Sequence, residues 1–183
     1  TLKDALIKDI SNHKNDIFQC SYIATTGEGV TAWISENIAK TNGIHAHFKY
    51  VSIQEILTQI YRATQPHQKM INNKDFTWLI YDVLFEGHSK NEAINEYFRV
   101  QPISCCMMIA DLLDKYQMYR PDMIAHWESN TIFTNNETLE VWQKEIWLAV
   151  QSKINARNNQ QSFYGGLQDL KNITKSDLEQ IKN

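Results

Sequence analysis

The chain has 183 residues, 43% of them hydrophobic and 11% aromatic, with a formal net charge of −3 at neutral pH and a pI near 6.0. That composition excludes intrinsic disorder and supplies one good core with room for a helical appendage. The acidic balance excludes the broadly basic surface that advertises nucleic-acid binding, although a local patch escapes a net count.

Leu2 to Ile10 reads as a helix with Leu2, Leu6 and Ile10 in line, ending near Asn12 to Asn15. An opening this abrupt, at Thr1 and without a Met, predicts a fragment that has lost an N-terminal strand. The stretch that organises the rest is Ile17 to Ile44. Ile17 to Ala24 is short, largely apolar and β-leaning, the pattern of a strand buried on both faces. Thr25-Thr26-Gly27-Glu28-Gly29 breaks it with two glycines and two hydroxyls. Val30 to Lys40 then places Val30, Trp33, Ile34, Asn37 and Ile38 along one helical stripe, and Asn42-Gly43 stops it. Ile44 to Val51 returns as a second strand, so the stretch predicts a βαβ unit with a parallel pair.

A turn between strand and helix offers free N–H groups and the positive end of the helix dipole, which attract phosphates. The spacing nevertheless fails as a nucleotide site. A phosphate loop needs G-x-x-x-x-G-K-[ST], whereas Gly29 is followed by Val30 and Thr31 with no Lys in the turn. The third glycine of a dinucleotide fingerprint is absent too. A structural βα turn and a phosphate-backbone contact both stay open on this chemistry; ATP hydrolysis is not expected.

Further on, Ser52 and Glu55 form a capping box for a helix from Ile53 to Arg62, with Ile53, Ile56, Leu57 and Ile60 as its buried stripe. Gln65 to Gln68 is a loop. Lys74 to Glu86 is a clear helix with Phe76, Leu79, Ile80, Val83 and Leu84 inward, closed by Gly87-His88. Lys90 to Arg99 carries Ile94, Tyr97 and Phe98, and Pro102 disfavours helix just before it. Ile103 to Met118 is a helix apolar over much of its surface through Met107, Met108, Ala110, Leu112 and Leu113. Tyr119 to Asp122 interrupts it, and Asp122 to Ser129 is a short helix with Asp122 as its N-cap. After a polar loop from Asn130 to Asn136, Thr138 to Ile154 is amphipathic through Leu139, Trp142, Ile146 and Val150. Asn155 to Gln161 reads as polar and exposed, and Phe163 to Ile173 and Ser176 to Ile181 as two final helices. The sum is a small parallel sheet of two strands outnumbered by helices, those after Ser52 forming a layer attached to an α/β base.

No catalytic constellation stands out. His45 and His47 alternate and would share one face of a strand, but no third ligand joins them, and exposed or structural roles are expected. Pro121-Asp122 lacks the downstream acid-x-Lys of a metal-dependent nuclease. There is no Gly-x-Ser-x-Gly elbow. Cys20, Cys105 and Cys106 have neither metal nor disulfide spacing and read as buried thiols in a reducing cytoplasm. No apolar run reaches membrane-spanning length, and no secretory leader is seen. The five Trp residues fall at helical spacing and read mostly as core, with base stacking as the sharper option.

The stretch from Ala110 to Glu128 resembles a hallmark of the RecC family, the gamma subunits of exodeoxyribonuclease V. That hallmark reads A-D-L-x-D-x-Y-x-x-Y-R-P-D-x-x-x-x-W-E, and nearly every element is met here, Tyr119, Arg120, Pro121 and Asp122 included. Thr26-Gly27 followed by Trp33, then Gly43-Ile44, is similar to the family's S-T-G-x-x-x-W-L and G-I elements. Trp142-Gln143 with Ile146-Trp147 resembles its W-Q-x-x-L-W. The resemblance runs from about Leu2 to Ile154. It implies an N-terminal piece of a larger subunit, with a superfamily 1 helicase fold of P-loop (RecA-like) type that has lost its ATPase motifs. Residues 1–64 would be part of the helicase-like α/β core without its first strand, and residues 65–183 a helical subdomain returning towards that core. Such a domain is non-catalytic and needs no cofactor. It holds and splits the DNA duplex during double-strand-break repair, while the beta and alpha subunits carry the motors and the nuclease. The resemblance matches the Thr25-Thr26-Gly27 turn to helicase motif Ia, where hydroxyls and amides touch single-strand phosphates, so that Thr25, Thr26, Gly27 and Gly29 are the expected nucleic-acid-binding residues, and it makes Arg120 a brace of its helix junction. A helical protein–protein adaptor without a DNA role is the alternative expectation.

Overall fold

A computed structural model describes residues 2–12, 20–87 and 89–173, and the chain divides into two compact units, Thr1–Ile60 and Tyr61–Asn183. The expected strand residues 17–19, His13, His88 and the helix expected over 176–181 lie outside the described residues.

The first unit is built on α1 (Leu2–Asn12), β1 (Ser21–Ala24), α2 (Glu28–Asn42) and β2 (Phe48–Val51). β1 and β2 pair in parallel with Ser21 opposite Phe48 and Ala24 opposite Val51, so the right-handed crossover geometry of a βαβ unit is available to α2. Gly43 ends α2 in the left-handed conformation (φ 74°), which carries no Cβ penalty in glycine. Several expectations of burial fail here. β1 is exposed at Ser21, Tyr22 and Ala24, not buried on both faces. On α2, Ile34, Asn37 and Ile38 are buried but Val30 and Trp33 are exposed; on α1, Ile7 is buried and Leu6 is exposed. Cys20 is exposed as well. Periodicity identifies side chains that share a face, but a two-stranded sheet has too little surface to cover every such face.

α3 (Ile53–Thr64) starts as expected, with Ser52 Oγ accepting from Glu55 N–H at 3.1 Å. Its buried residue is Tyr61; Ile53 and Ile60 of the expected stripe are exposed.

The second unit holds β3 (Lys69–Met70), α4 (Asn73–Phe85), α5 (Glu92–Val100), α6 (Pro102–Tyr119), α7 (Pro121–Glu128), α8 (Glu137–Asn155), β4 (Gln160–Gln161) and α9 (Phe163–Lys171). α6 is its axis and packs on α4, α5, α7 and α9. The core joins the five expected residues of α4 to Cys105, Cys106, Ile109, Ala110 and Leu113 of α6, Ile124 and Trp127 of α7, and Ile146, Trp147, Val150 and Ile154 of α8. Each fully buried aliphatic side chain contributes roughly 1.5–3 kcal/mol by removal from water. Gln117, also buried, accepts from Tyr164 N–H at 3.0 Å and ties α6 to α9. β3 and β4 form a second parallel pair that sequence did not reveal. Strands of two residues, Lys69-Met70 and Gln160-Gln161, are too short to carry a readable period. The result is a helix-dominated α/β protein with two small parallel sheets. No helix among the described residues is long and apolar enough to cross a membrane.

Candidate functional site

The four residues singled out at the first turn are brought together. Thr25 N–H donates to Val51 O at 3.0 Å, extending the β1–β2 ladder by one step, and the chain then bends through Thr26 and Gly27 into α2. Gly27 is the N-cap, with extended backbone and no side-chain capping bond, so the first-turn N–H groups of α2 have no cap. Gly27, Glu28 and Gly29 are exposed, and a Cβ at either glycine would meet nothing within 4 Å. The turn is held by its hydroxyls. Thr25 Oγ1 and Thr31 Oγ1 lie 2.8 Å apart, and the Thr31 hydroxyl reaches Gly27 O at 3.2 Å. Thr26 is left exposed at the rim. The arrangement can present backbone N–H groups and a hydroxyl to an anion, opposed by one feature. Glu28 occupies the first helical turn, where its carboxylate is favoured by the dipole and repels phosphate.

His45 and His47 do not share a strand face, because both precede β2. His45 Nε2 lies 2.9 Å from Tyr50 Oη, with the two rings stacked, and His47 takes a positive φ of 63°. Among the described residues no group of three or more His, Cys, Asp or Glu is placed to hold a metal.

In the second unit the Tyr119-Arg120-Pro121-Asp122 stretch forms the α6–α7 junction. Arg120 is both C-cap of α6 and N-cap of α7: its N–H donates to Tyr116 O, and its carbonyl accepts from Met123 and Ile124. Its guanidinium Nε donates to Asp122 Oδ1 at 3.3 Å, with Cζ 5.0 Å from the Phe133 ring centroid. Asp122 is therefore not the N-cap. Pro121, with φ fixed by its ring, takes the first helical position and moves Asp122 to the second. Desolvation pushes the Asp122 carboxyl up, but hydrogen bonds from Met123 N–H and Arg120 outweigh it and hold the group below its usual range. Tyr119 is exposed.

Sequence reasoning missed two polar centres in this unit. Glu140 is only 3% exposed, and its carboxylate accepts from Trp127 Nε1 (2.8 Å), Phe133 N–H (2.6 Å) and Thr134 N–H (2.6 Å). Burial alone would raise its pKa, yet the hydrogen bonds from Thr134, Phe133 and Trp127 lower it to about 2. The signal was present: Glu140 precedes the buried Trp147 and Ile154 by seven and fourteen residues, on one helical stripe. The other centre is Tyr61, whose hydroxyl donates to Asp169 Oδ2 at 3.2 Å across 108 residues. Asp169 lies on a polar cavity of about 600 Å³ that Glu128, Gln151, Gln161, Tyr164 and Gln168 also line.

A family model described as "RecC, N-terminal domain" matches residues 1–181. The chain is 21% identical to the "RecBCD enzyme subunit RecC" of Buchnera aphidicola subsp. Acyrthosiphon pisum, over 84% of this chain and 15% of that protein. It is 22% identical to the protein of the same description from Haemophilus influenzae, over 83% of this chain and 16% of that protein. It is 20% identical to the one from Escherichia coli K12, over 74% of this chain and 13% of that protein. The chain thus spans between 13% and 16% of the length of these relatives.

Proposed function

Because the chain belongs to the RecC N-terminal domain family, we propose that it is the non-catalytic, helicase-like N-terminal portion of the gamma subunit of a RecBCD-type exodeoxyribonuclease V. In this reading residues 1–64 are part of a RecA-like α/β core and residues 65–183 a helical subdomain returning towards it. The domain holds and splits DNA during double-strand-break repair in the cytoplasm. Its partners are a duplex end or single strand and the beta and alpha subunits.

The observation that carries this reading is the open turn between β1 and α2. Thr26, Gly27 and Gly29 leave the uncapped first turn of α2 accessible, and the Lys that nucleotide hydrolysis requires is missing. Such a turn suits a phosphate-backbone contact that positions DNA without reading its bases. Thr25 supports the turn through Thr31 and reaches DNA least.

The test is titration of forked DNA at rising salt. The reading expects binding that weakens as salt rises and that Thr26→Val weakens further, since a phosphate contact releases counterions. Binding indifferent to both salt and Thr26 would overturn the phosphate contact.

A further inference from the structure

The polar cavity beside Asp169 holds two carboxylates and no cation. Its volume of about 600 Å³ is within the range of small-ligand sites. α8 lines it with Gln151 and Asn155, one turn apart, and α9 with Tyr164 and Asp169. β4 adds Gln161, and Glu128 closes it from the end of α7. The lining contains neither Lys nor Arg, and neither Glu128 nor Asp169 forms an ion pair among the described residues. Asp169 accepts from the Tyr61 hydroxyl at 3.2 Å and from Gln161 Nε2 at 3.4 Å. Both donors are neutral and both bonds fall on Oδ2, so the charge is solvated without being neutralised and Oδ1 keeps its acceptor capacity.

Helix ends reinforce that sign. Glu128 is the last residue of α7 and Asn155 the last of α8, so the carbonyl ends of two helices meet the cavity and add negative potential. The cation in the last turn of α8, Lys153, is engaged elsewhere, donating to Glu86 Oε1 at 2.7 Å. Desolvation raises the Glu128 carboxyl above its usual range. Burial, and then the charge of Glu128, raise the Tyr164 phenol, so that charge is felt from α7 across to α9. Gln151 Nε2 is buried with no hydrogen-bond partner. Turned about its last torsion, that amide offers a ligand its carbonyl oxygen at the loss of no existing Nε2 bond.

We propose that the cavity between α8 and α9 binds a guanidinium group, with Glu128 and Asp169 supplying the negative charge and the Gln151 amide a neutral acceptor beside them. Acceptors carried on three elements suit a flat cation with several N–H donors in fixed directions better than the compact charge of an ammonium. A metal ion fits poorly, since no group of three His, Cys, Asp or Glu is placed to hold one among the described residues. A nucleic-acid phosphate is disfavoured by the sign of the lining. The guanidinium belongs either to a free small molecule or to an arginine of a polypeptide; both present the same forked cation.

The test titrates the purified chain with methylguanidinium and follows backbone and side-chain amide chemical shifts. Saturable shifts are expected at the Gln151 and Gln161 side-chain amides and along α9. Methylammonium should bind about fivefold more weakly, and urea, neutral and of similar shape, should not bind. Glu128→Gln and Asp169→Asn should each weaken methylguanidinium binding about tenfold. Glu128 is exposed, so its variant keeps the fold; Asp169→Asn also disturbs the bond to Tyr61, and Tyr61→Phe, which removes that bond alone, should leave binding unchanged. N-acetyl-arginine amide separates the two sources. Binding at least as tight as that of methylguanidinium identifies a polypeptide arginine, and its exclusion while methylguanidinium still binds identifies a free small cation. Four results overturn the proposal: no saturable shift on α8 and α9, urea or methylammonium binding as tightly as methylguanidinium, indifference to both carboxylate variants, or displacement of methylguanidinium by an equal concentration of magnesium. The titration reads a cavity in the second unit, so its failure leaves the phosphate contact proposed for the β1–α2 turn to be judged by forked DNA.

Discussion

The Trp127 indole donates to the Glu140 carboxylate at 2.8 Å, linking α7 to α8 inside the core of the second unit. The same carboxylate holds the loop before α8 through Phe133 and Thr134, so one buried charge fixes two helices and their connection. A carboxylate taken out of water is costly unless several donors meet it, and here three residues do.

Glu140 should make the protein acid-labile. Its folded pKa is depressed from an ordinary 4.5 to about 2. The stabilisation is therefore complete above about pH 4.5 and lost as pH falls towards 2, about 3 kcal/mol in all. Glu140→Gln should cost about 2–3 kcal/mol at pH 7, and the gap between variant and parent should close on acidification. Urea unfolding followed by tryptophan fluorescence at pH 7, 5 and 3 checks this; a gap that stays constant with pH refutes the assignment.

Tyr61 should act at the other end of the pH scale. Burial first, then the negative charge of Asp169 and the bond to it, raise the phenol to about 12. Because the folded value lies above the unfolded one, near 10, the stabilisation is present below pH 10 and lost as pH rises towards 12. Tyr61→Phe should cost about 1 kcal/mol at neutral pH and flatten the alkaline fall in stability. Thermal melts of both proteins from pH 8 to pH 11 measure it.

If the β1–α2 turn meets phosphate, Glu28 is the residue that opposes it. Replacing a carboxylate in the first helical turn by an amide removes like-charge repulsion at the anion's position. Glu28→Gln should tighten forked-DNA binding about two- to fivefold at low salt, an advantage that fades as salt rises. Unchanged or weaker binding would place the DNA elsewhere.

The missing Lys predicts that the chain neither binds nor hydrolyses ATP. Calorimetric titration with ATP and magnesium should show no heat above dilution, and any phosphate release should disappear on repurification. Turnover that survives repurification and scales with protein would end the reading of a decayed helicase domain.

Where sequence reasoning succeeded, the physics was local. The 3.6-residue period of Phe76, Leu79, Ile80, Val83 and Leu84 marked the inner face of α4, and all five are core. Ser52 and Gly43 mark helix ends because capping depends on a residue's own backbone and its near neighbours. Where it failed, the deciding partner lay far along the chain. Val30, Trp33, Ile53 and Ile60 have the right spacing for burial and are exposed, since spacing says which side chains share a face and not whether another element covers it. Asp122 looked like a cap until Pro121 took the first helical position.

The sequence by itself determined the helices among the described residues, their order, the strand–turn–helix–strand pattern around the Thr25 to Gly29 turn and, through the Tyr-Arg-Pro-Asp stretch, the family. Hydrogen-bonding period, turn chemistry and motif spacing are all written in consecutive residues. Only the tertiary structure decided that Lys69-Met70 pairs with Gln160-Gln161, that Tyr61 meets Asp169, that Glu140 is buried among three donors, and that Trp78 and Met107 face outward beside one groove. Those facts depend on chain segments brought together by the core, and an apolar side chain at helical spacing does not record which side of its helix the rest of the protein will cover.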